Sequence, residues 1–159
     1  MRTHQHTLPA LAALLMFAAP AAAQRAASQA ANPHSAINRV DRLNWVDAPL
    51  PFPSGGRMAV VSGDPVARGQ YTVQYEFPDG YVIPPHVHPT DEAIVVKSGV
   101  FLFGMGDVIT PKAMKALKPG EHATLPGTSH HFAKAQGRTV IEVTSTGPFG
   151  MKLVSPKKS

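Results

Sequence analysis

Residues 80–99 read G-Y-V-I-P-P-H-V-H-P-T-D-E-A-I-V-V-K-S-G, with two histidines and a glutamate bracketed by glycines. On an extended segment side chains alternate faces, so His86 and His88, two positions apart, point the same way. Glu92, four residues beyond His88, keeps that parity, and one ion can be shared by all three. Imidazole and carboxylate donors suit Fe, Mn, Ni, Co, Zn or Cu better than Ca or Mg, because nitrogen ligands favour borderline ions. The expected cofactor is therefore one divalent transition metal. The two glycines have backbone roles. Gly80 closes the turn P-D-G and Gly99 closes K-S-G, both turns that call for positive φ. Together they set strand register, and register decides whether the histidines face inward.

Working outward, short runs with strand character fall at 44–47, 58–62, 71–77, 81–88, 93–97, 100–105, 122–125, 131–134, 140–146 and 151–154. Their breaks are S-G-D-P, P-D-G, K-S-G and G-P. Many short strands at this spacing predict an all-β sandwich or barrel. Only 111–117 could support a helical turn. There is no internal repeat and no sign of a second domain.

The segment 80–99 resembles the first signature of the cupin superfamily: glycine, five residues, H-x-H, three residues, glutamate, six residues, glycine. Every fixed position is matched. The second signature calls for a glycine, a proline six residues later and a histidine five beyond that, and Gly120, Pro126 and His131 stand at those spacings. One position departs from the pattern. Gly127 follows Pro126 directly, and Thr128 stands where the family has its glycine. Counting without gaps from Pro126 selects His131 as third histidine ligand, whereas a deletion at the displaced glycine would select His130. Strand parity makes the two mutually exclusive. The segments P-P-H-V-H-P-T-D-E, G-M-G-D (104–107) and T-G-P-F-G (146–150) look like those of small bacterial single-domain cupins. The resemblance covers about 43–155. It implies a jelly-roll β-barrel and a metal site of His86, His88, Glu92 and His131.

The first residues carry Arg2 and two histidines, then an apolar run over 8–19, then Ala21-Ala22-Ala23 before Gln24. This is the plan of a secretory signal peptide, with cleavage expected after Ala23 and a periplasmic or secreted product. The run is shorter than the ~20 apolar residues that span a bilayer, so no stable membrane insertion is expected after cleavage. Residues 24–42 read as a flexible linker, 43–155 as the cupin domain and 156–159 as a basic tail. Loss of Arg2 leaves the product one charge below the +5 of the whole chain. No basic run is interleaved with aromatics, so nucleic acid is not an expected partner. The chain has no cysteine, which excludes disulfides, thiolate ligands and cysteine nucleophiles. Ser129 beside His130 does not make a hydrolase, because neighbouring strand side chains point apart and no G-x-S-x-G occurs. A homodimer would help so small a barrel bury its surface.

The aromatic residues Tyr71, Tyr75, Phe77, Phe101, Phe103 and Phe132 are candidates to line a pocket or to fill the core. Glu142 between Ile141 and Val143 is a candidate proton shuttle if it faces inward, and otherwise a solvated edge charge. The reading that follows is an exported metal-binding cupin acting on a small molecule. By resemblance, three histidines and a glutamate occur in dioxygenases of flavonols and diketones, in oxalate-degrading enzymes and in isomerases. The alternative is a non-catalytic cupin that binds a small ligand or a metal chelate.

Overall fold

Nine antiparallel strands make up this domain: β1 (Val46–Asp47), β2 (Arg57–Ser62), β3 (Gly69–Phe77), β4 (Val82–Val87), β5 (Glu92–Met105), β6 (Lys115–Leu117), β7 (His122–Leu125), β8 (His131–Gly147) and β9 (Lys152–Leu153). The computed structural model describes residues 43–155, so the expected leader, linker and tail lie outside the described residues. The helical turn expected over 111–117 is a single 3-10 turn at Pro111–Ala113, and the rest of that segment is β6.

β8 organises the sheet. Along one edge its first half pairs with β4 (His86↔His131, Ile83↔Ala133), and its second half pairs with β3, from Gly69↔Gly147 to Phe77↔Thr139. Along the other edge it pairs with β5 nearly end to end, from Ala93↔Thr144 to Met105↔His131. The sheet curls, and one face of each strand closes on a common interior. That face carries Tyr71, Val73, Tyr75 and Phe77 from β3, Ile94, Val96 and Phe101 from β5, and Ala133, Ala135, Ile141 and Val143 from β8, all buried.

Two expected breaks are absent. The runs 93–97 and 100–105 are one strand, β5, and the runs 131–134 and 140–146 are one strand, β8. K-S-G is a bulge inside a strand instead of a turn between two, with the register shifting on both sides of Ser98. Gly99 has φ +74 as expected, and the bulge it permits reverses strand parity. Val96 and Phe101, five residues apart, thereby both face the core, where an unbroken alternation would have put them on opposite sides.

The polar face of β3 and β8 is paired across the ladder. Thr72 bonds Thr144 at 2.9 Å, and the Gln74 amide donates to Glu142 at 2.8 Å. Glu142 also lies 3.7 Å from Lys97, so it is an edge charge facing away from the interior and not a shuttle. Phe132 likewise turns away from the interior. It is fully buried, lying over Gly104, its register partner, where an added Cβ would meet the ring at 2.5 Å.

Candidate metal centre

β4 contains the pair Pro84-Pro85, which has no N–H to give to a ladder. Its pairing with β8 is irregular between Ile83 and His86, and the Pro84 carbonyl is left to accept from His86 Nδ1 at 2.6 Å. His88, just past the strand end, donates from Nδ1 to the Gly150 carbonyl at 2.7 Å. His131, first residue of β8, donates from Nδ1 to the Ser129 carbonyl at 3.0 Å. A carbonyl only accepts, so each Nδ1 carries a proton and each Nε2 is the nitrogen left free to take an ion. The ligand nitrogens of the three histidines lie within 4.8 Å of one another, and all three residues are buried.

Glu92, also buried, opens β5 on the opposite wall. Its Oε2 stands 3.5 Å from His88 Nε2 and 3.6 Å from His131 Nε2, too far for hydrogen bonds. Three imidazoles thus cluster, with a carboxylate oxygen beside two of them. The donor set of imidazoles and one carboxylate fits a divalent transition ion. His86, His88 and His131 could hold such a metal. His130 lies outside the group: its ring is half-exposed and its Nδ1 sits 2.6 Å from Asp107. His122 is exposed on β7.

The site opens on an interior cavity with about 30 Å³ accessible to the centre of a water molecule. Its wall is mostly apolar, from Phe77, Ile83, Ile94, Phe101, Leu125 and Ile141 among others, and Tyr75 joins it beside the histidines and Glu92. Of the candidate aromatics, Tyr75, Phe77 and Phe101 line this space, whereas Tyr71, Phe103 and Phe132 do not. Sequence spacing gave no sign of Phe149, whose ring lies 5.8 Å from that of His88, or of the Gly150 carbonyl that orients His88.

Burial pulls the His86 imidazole down to about 3, with the neighbouring His131 and His88 adding to the shift against the Pro84 hydrogen bond. Burial also lowers His88, partly offset by Glu92. Both rings are neutral and ready for a metal at neutral pH. The unfolded chain takes up these protons near pH 6.5 and the folded chain resists them. Stability is therefore complete above that pH and falls as the pH drops from about 6.5 towards 3, by up to ~1.4 kcal/mol per pH unit for His86, with His88 acting in the same direction. Chelator-treated protein should lose about 2 kcal/mol or more between pH 7 and pH 5 in denaturant melts. A flat profile over that interval would show that these rings are not desolvated.

No protein-family model matches this chain and no curated sequence does. Solved structures match it closely in shape. The polyketide cyclase RemF from Streptomyces resistomycificus superposes with a TM-score of 0.59 at 18% identity, covering 74% of this chain and 84% of that one. An RmlC-like cupin from Shewanella frigidimarina gives 0.55 at 15%, covering 74% and 89%. A candidate acetylacetone dioxygenase from Methylibium petroleiphilum gives 0.59 at 16%, covering 76% and 81%.

The chain has the cupin fold. The departure from the second signature has a conformational counterpart in this domain. Thr128 has φ +64, the only positive φ outside glycine among the described residues. A left-handed threonine thus stands where the resemblance expects glycine, and His131 is the histidine that joins the buried group. The glycine next door serves a different need. A Cβ on Gly127 would stand 3.0 Å from the Pro89 carbonyl and from the Thr90 backbone. The Gly127 amide donates to Asp91 at 2.7 Å and the Thr128 amide to the His88 carbonyl at 2.8 Å, which clamps this turn to the loop carrying His88.

A β-branched residue held in the left-handed region is strained by ~1–2 kcal/mol. Thr128→Gly should accordingly raise the stability of the cupin by about 1 kcal/mol with metal binding intact. Gly127→Ala should lower stability. Urea midpoints of the two variants check this, and a less stable Thr128→Gly protein would show that the threonine side chain holds the turn by some other contact.

Proposed function

We propose that this cupin binds one divalent transition ion through His86, His88, Glu92 and His131 and is an exported metal-dependent enzyme acting on a small oxygen-bearing molecule, of the dioxygenase or a related oxidoreductase or isomerase class. The observation that carries the reading is the buried cluster of His86, His88 and His131, each imidazole fixed by a carbonyl behind it, with the Glu92 carboxylate beside His88 and His131. When bound, the ion supplies Lewis acidity towards an oxygen-bearing substrate and, if iron or manganese, access to redox chemistry. The protein's own groups do the rest. The Pro84, Gly150 and Ser129 carbonyls fix the tautomer and aim each ring. Glu92 brings one negative charge against the ion, and the apolar wall excludes bulk water, so polar interactions inside the cavity are strengthened. A polyketide cyclase and a candidate acetylacetone dioxygenase share the fold, and both names denote small oxygenated substrates.

The test is elemental analysis of protein purified from the periplasm, paired with intact mass and with oxygen uptake on small carbonyl and carboxylate compounds. One equivalent of metal, a chain beginning at Gln24 and turnover are expected. Metal-free protein that cannot be loaded would overturn the metal centre. A mass retaining residues 1–23 would overturn cleavage. Tight stoichiometric ligand binding without any product would favour a binding protein instead.

A further inference from the structure

The cavity holds one polar group that the metal site leaves unused. Tyr75 lies on β3 opposite Ile141, and its ring is held between Phe52, with centroids 4.9 Å apart, and Phe77, stacked at 5.9 Å. The residue is buried, yet its hydroxyl bonds no protein group among the described residues. Tyr81, by contrast, donates to the Pro53 carbonyl. Among the described residues no side-chain polar atom sealed away from open space lacks a partner. The Tyr75 hydroxyl therefore opens on the cavity that its own ring lines beside Glu92 and the three histidines. A tyrosine hydroxyl that faces so apolar a space, with no protein acceptor, gains from any group in the cavity that accepts its proton.

Charge and size narrow what that something is. A divalent ion with one carboxylate ligand leaves one positive charge in an apolar cavity whose wall includes no lysine or arginine, so one monoanion restores neutrality. An opening of about 30 Å³ is room for two or three water-sized groups, given that one needs roughly 10–15 Å³. We propose that the Tyr75 hydroxyl is the second anchor of a small carboxylate ligand, of the size of acetate, one of whose oxygens accepts from Tyr75 while the other faces the ion held by His86, His88, Glu92 and His131. This rests on the metal centre proposed above and narrows its substrate to short carboxylates or compounds that present a carboxylate at this end.

The probe is Co(II), whose visible spectrum reports both its own binding and a change of ligand, titrated with sodium acetate at constant ionic strength in the wild type and in Tyr75→Phe. Tyr75→Phe should bind Co(II) with the stoichiometry and affinity of the wild type and bind acetate ~10-fold or more weakly, as for a lost hydrogen bond to a charged group. Its metal-free form should melt at or above the wild-type temperature, because the hydroxyl has no protein partner to lose. A lower melting temperature would reveal a structural partner and overturn the proposal. A Co(II) spectrum that ignores acetate, or that responds equally in both proteins, would overturn the proposal and leave the metal centre standing. Failure of the wild type to take up Co(II) would overturn both.

Discussion

His131→Ala should cut divalent-metal affinity by ~10-fold or more, while His130→Ala should leave it near the wild-type value. The two residues are adjacent and carry the same side chain, but His131 opens β8 and His130 is the last residue of the loop before it. His131 is buried, with Nε2 3.6 Å from Glu92 and Nδ1 tied to the Ser129 carbonyl. His130 is turned out to Asp107 at 2.6 Å, with its ring half-exposed. Removing either His86 or His88 should likewise abolish stoichiometric metal, and Glu92→Gln should weaken binding less, since an amide oxygen still coordinates but without charge. The barrel should stay folded in each, because its strands are held by an apolar interior. Metal titration with a circular dichroism control decides. The reverse order of effect for His131 and His130 would move the site by one residue, and full metal content in a His86, His88 double variant would remove it.

Gly99→Ala should destabilise the barrel by about 3 kcal/mol or more, against ~1 kcal/mol for Gly137→Ala. Both glycines have positive φ, +74 and +72, so both substitutions meet the same backbone strain. They differ in space. A Cβ at Gly99 would lie 2.5 Å from the Arg138 carbonyl and 2.7 Å from the Thr139 Cα, while nothing stands within 4 Å of one at Gly137. Thr139 is fully buried, with its hydroxyl bonded to the Val100 and Gly137 carbonyls at 3.2 and 3.0 Å, so the facing strand has no free direction in which to yield. Urea or thermal melts of both variants measure the difference. Equal costs would mean that the bulge opens freely and that close contact of the two backbones does not hold the corner.

Much of the architecture is legible in the chain itself because it depends on local rules. The run expected over 71–77 lies within β3, and its alternate residues Tyr71, Val73, Tyr75 and Phe77 share the interior. The turn P-D-G called for a left-handed glycine, and Gly80 has φ +75. K-S-G was misread for an equally physical reason. A glycine of positive φ serves a tight turn and a bulge alike, and only the presence of a facing strand, here β8, distinguishes them. Glu142 was ambiguous in the same way, since an acid between two β-branched residues takes its face from the ladder, and the ladder turns it towards Gln74 and Lys97.

What the sequence by itself determined was the all-β class, the common face of His86 and His88, and the residue types that suit a transition ion, because each follows from side-chain alternation or donor chemistry within a few residues. Tertiary structure alone decided which of two neighbouring histidines reaches that face, since the choice turns on Thr128 adopting φ +64 against a loop some forty residues earlier in the chain. It alone supplied the Gly150 carbonyl behind His88, 62 residues away, the place of Glu92 beside His88 and His131, and the unpartnered Tyr75 hydroxyl. These are contacts between segments distant in sequence, set by how strands pair and curl, and no local pattern of residues encodes which distant atoms will meet.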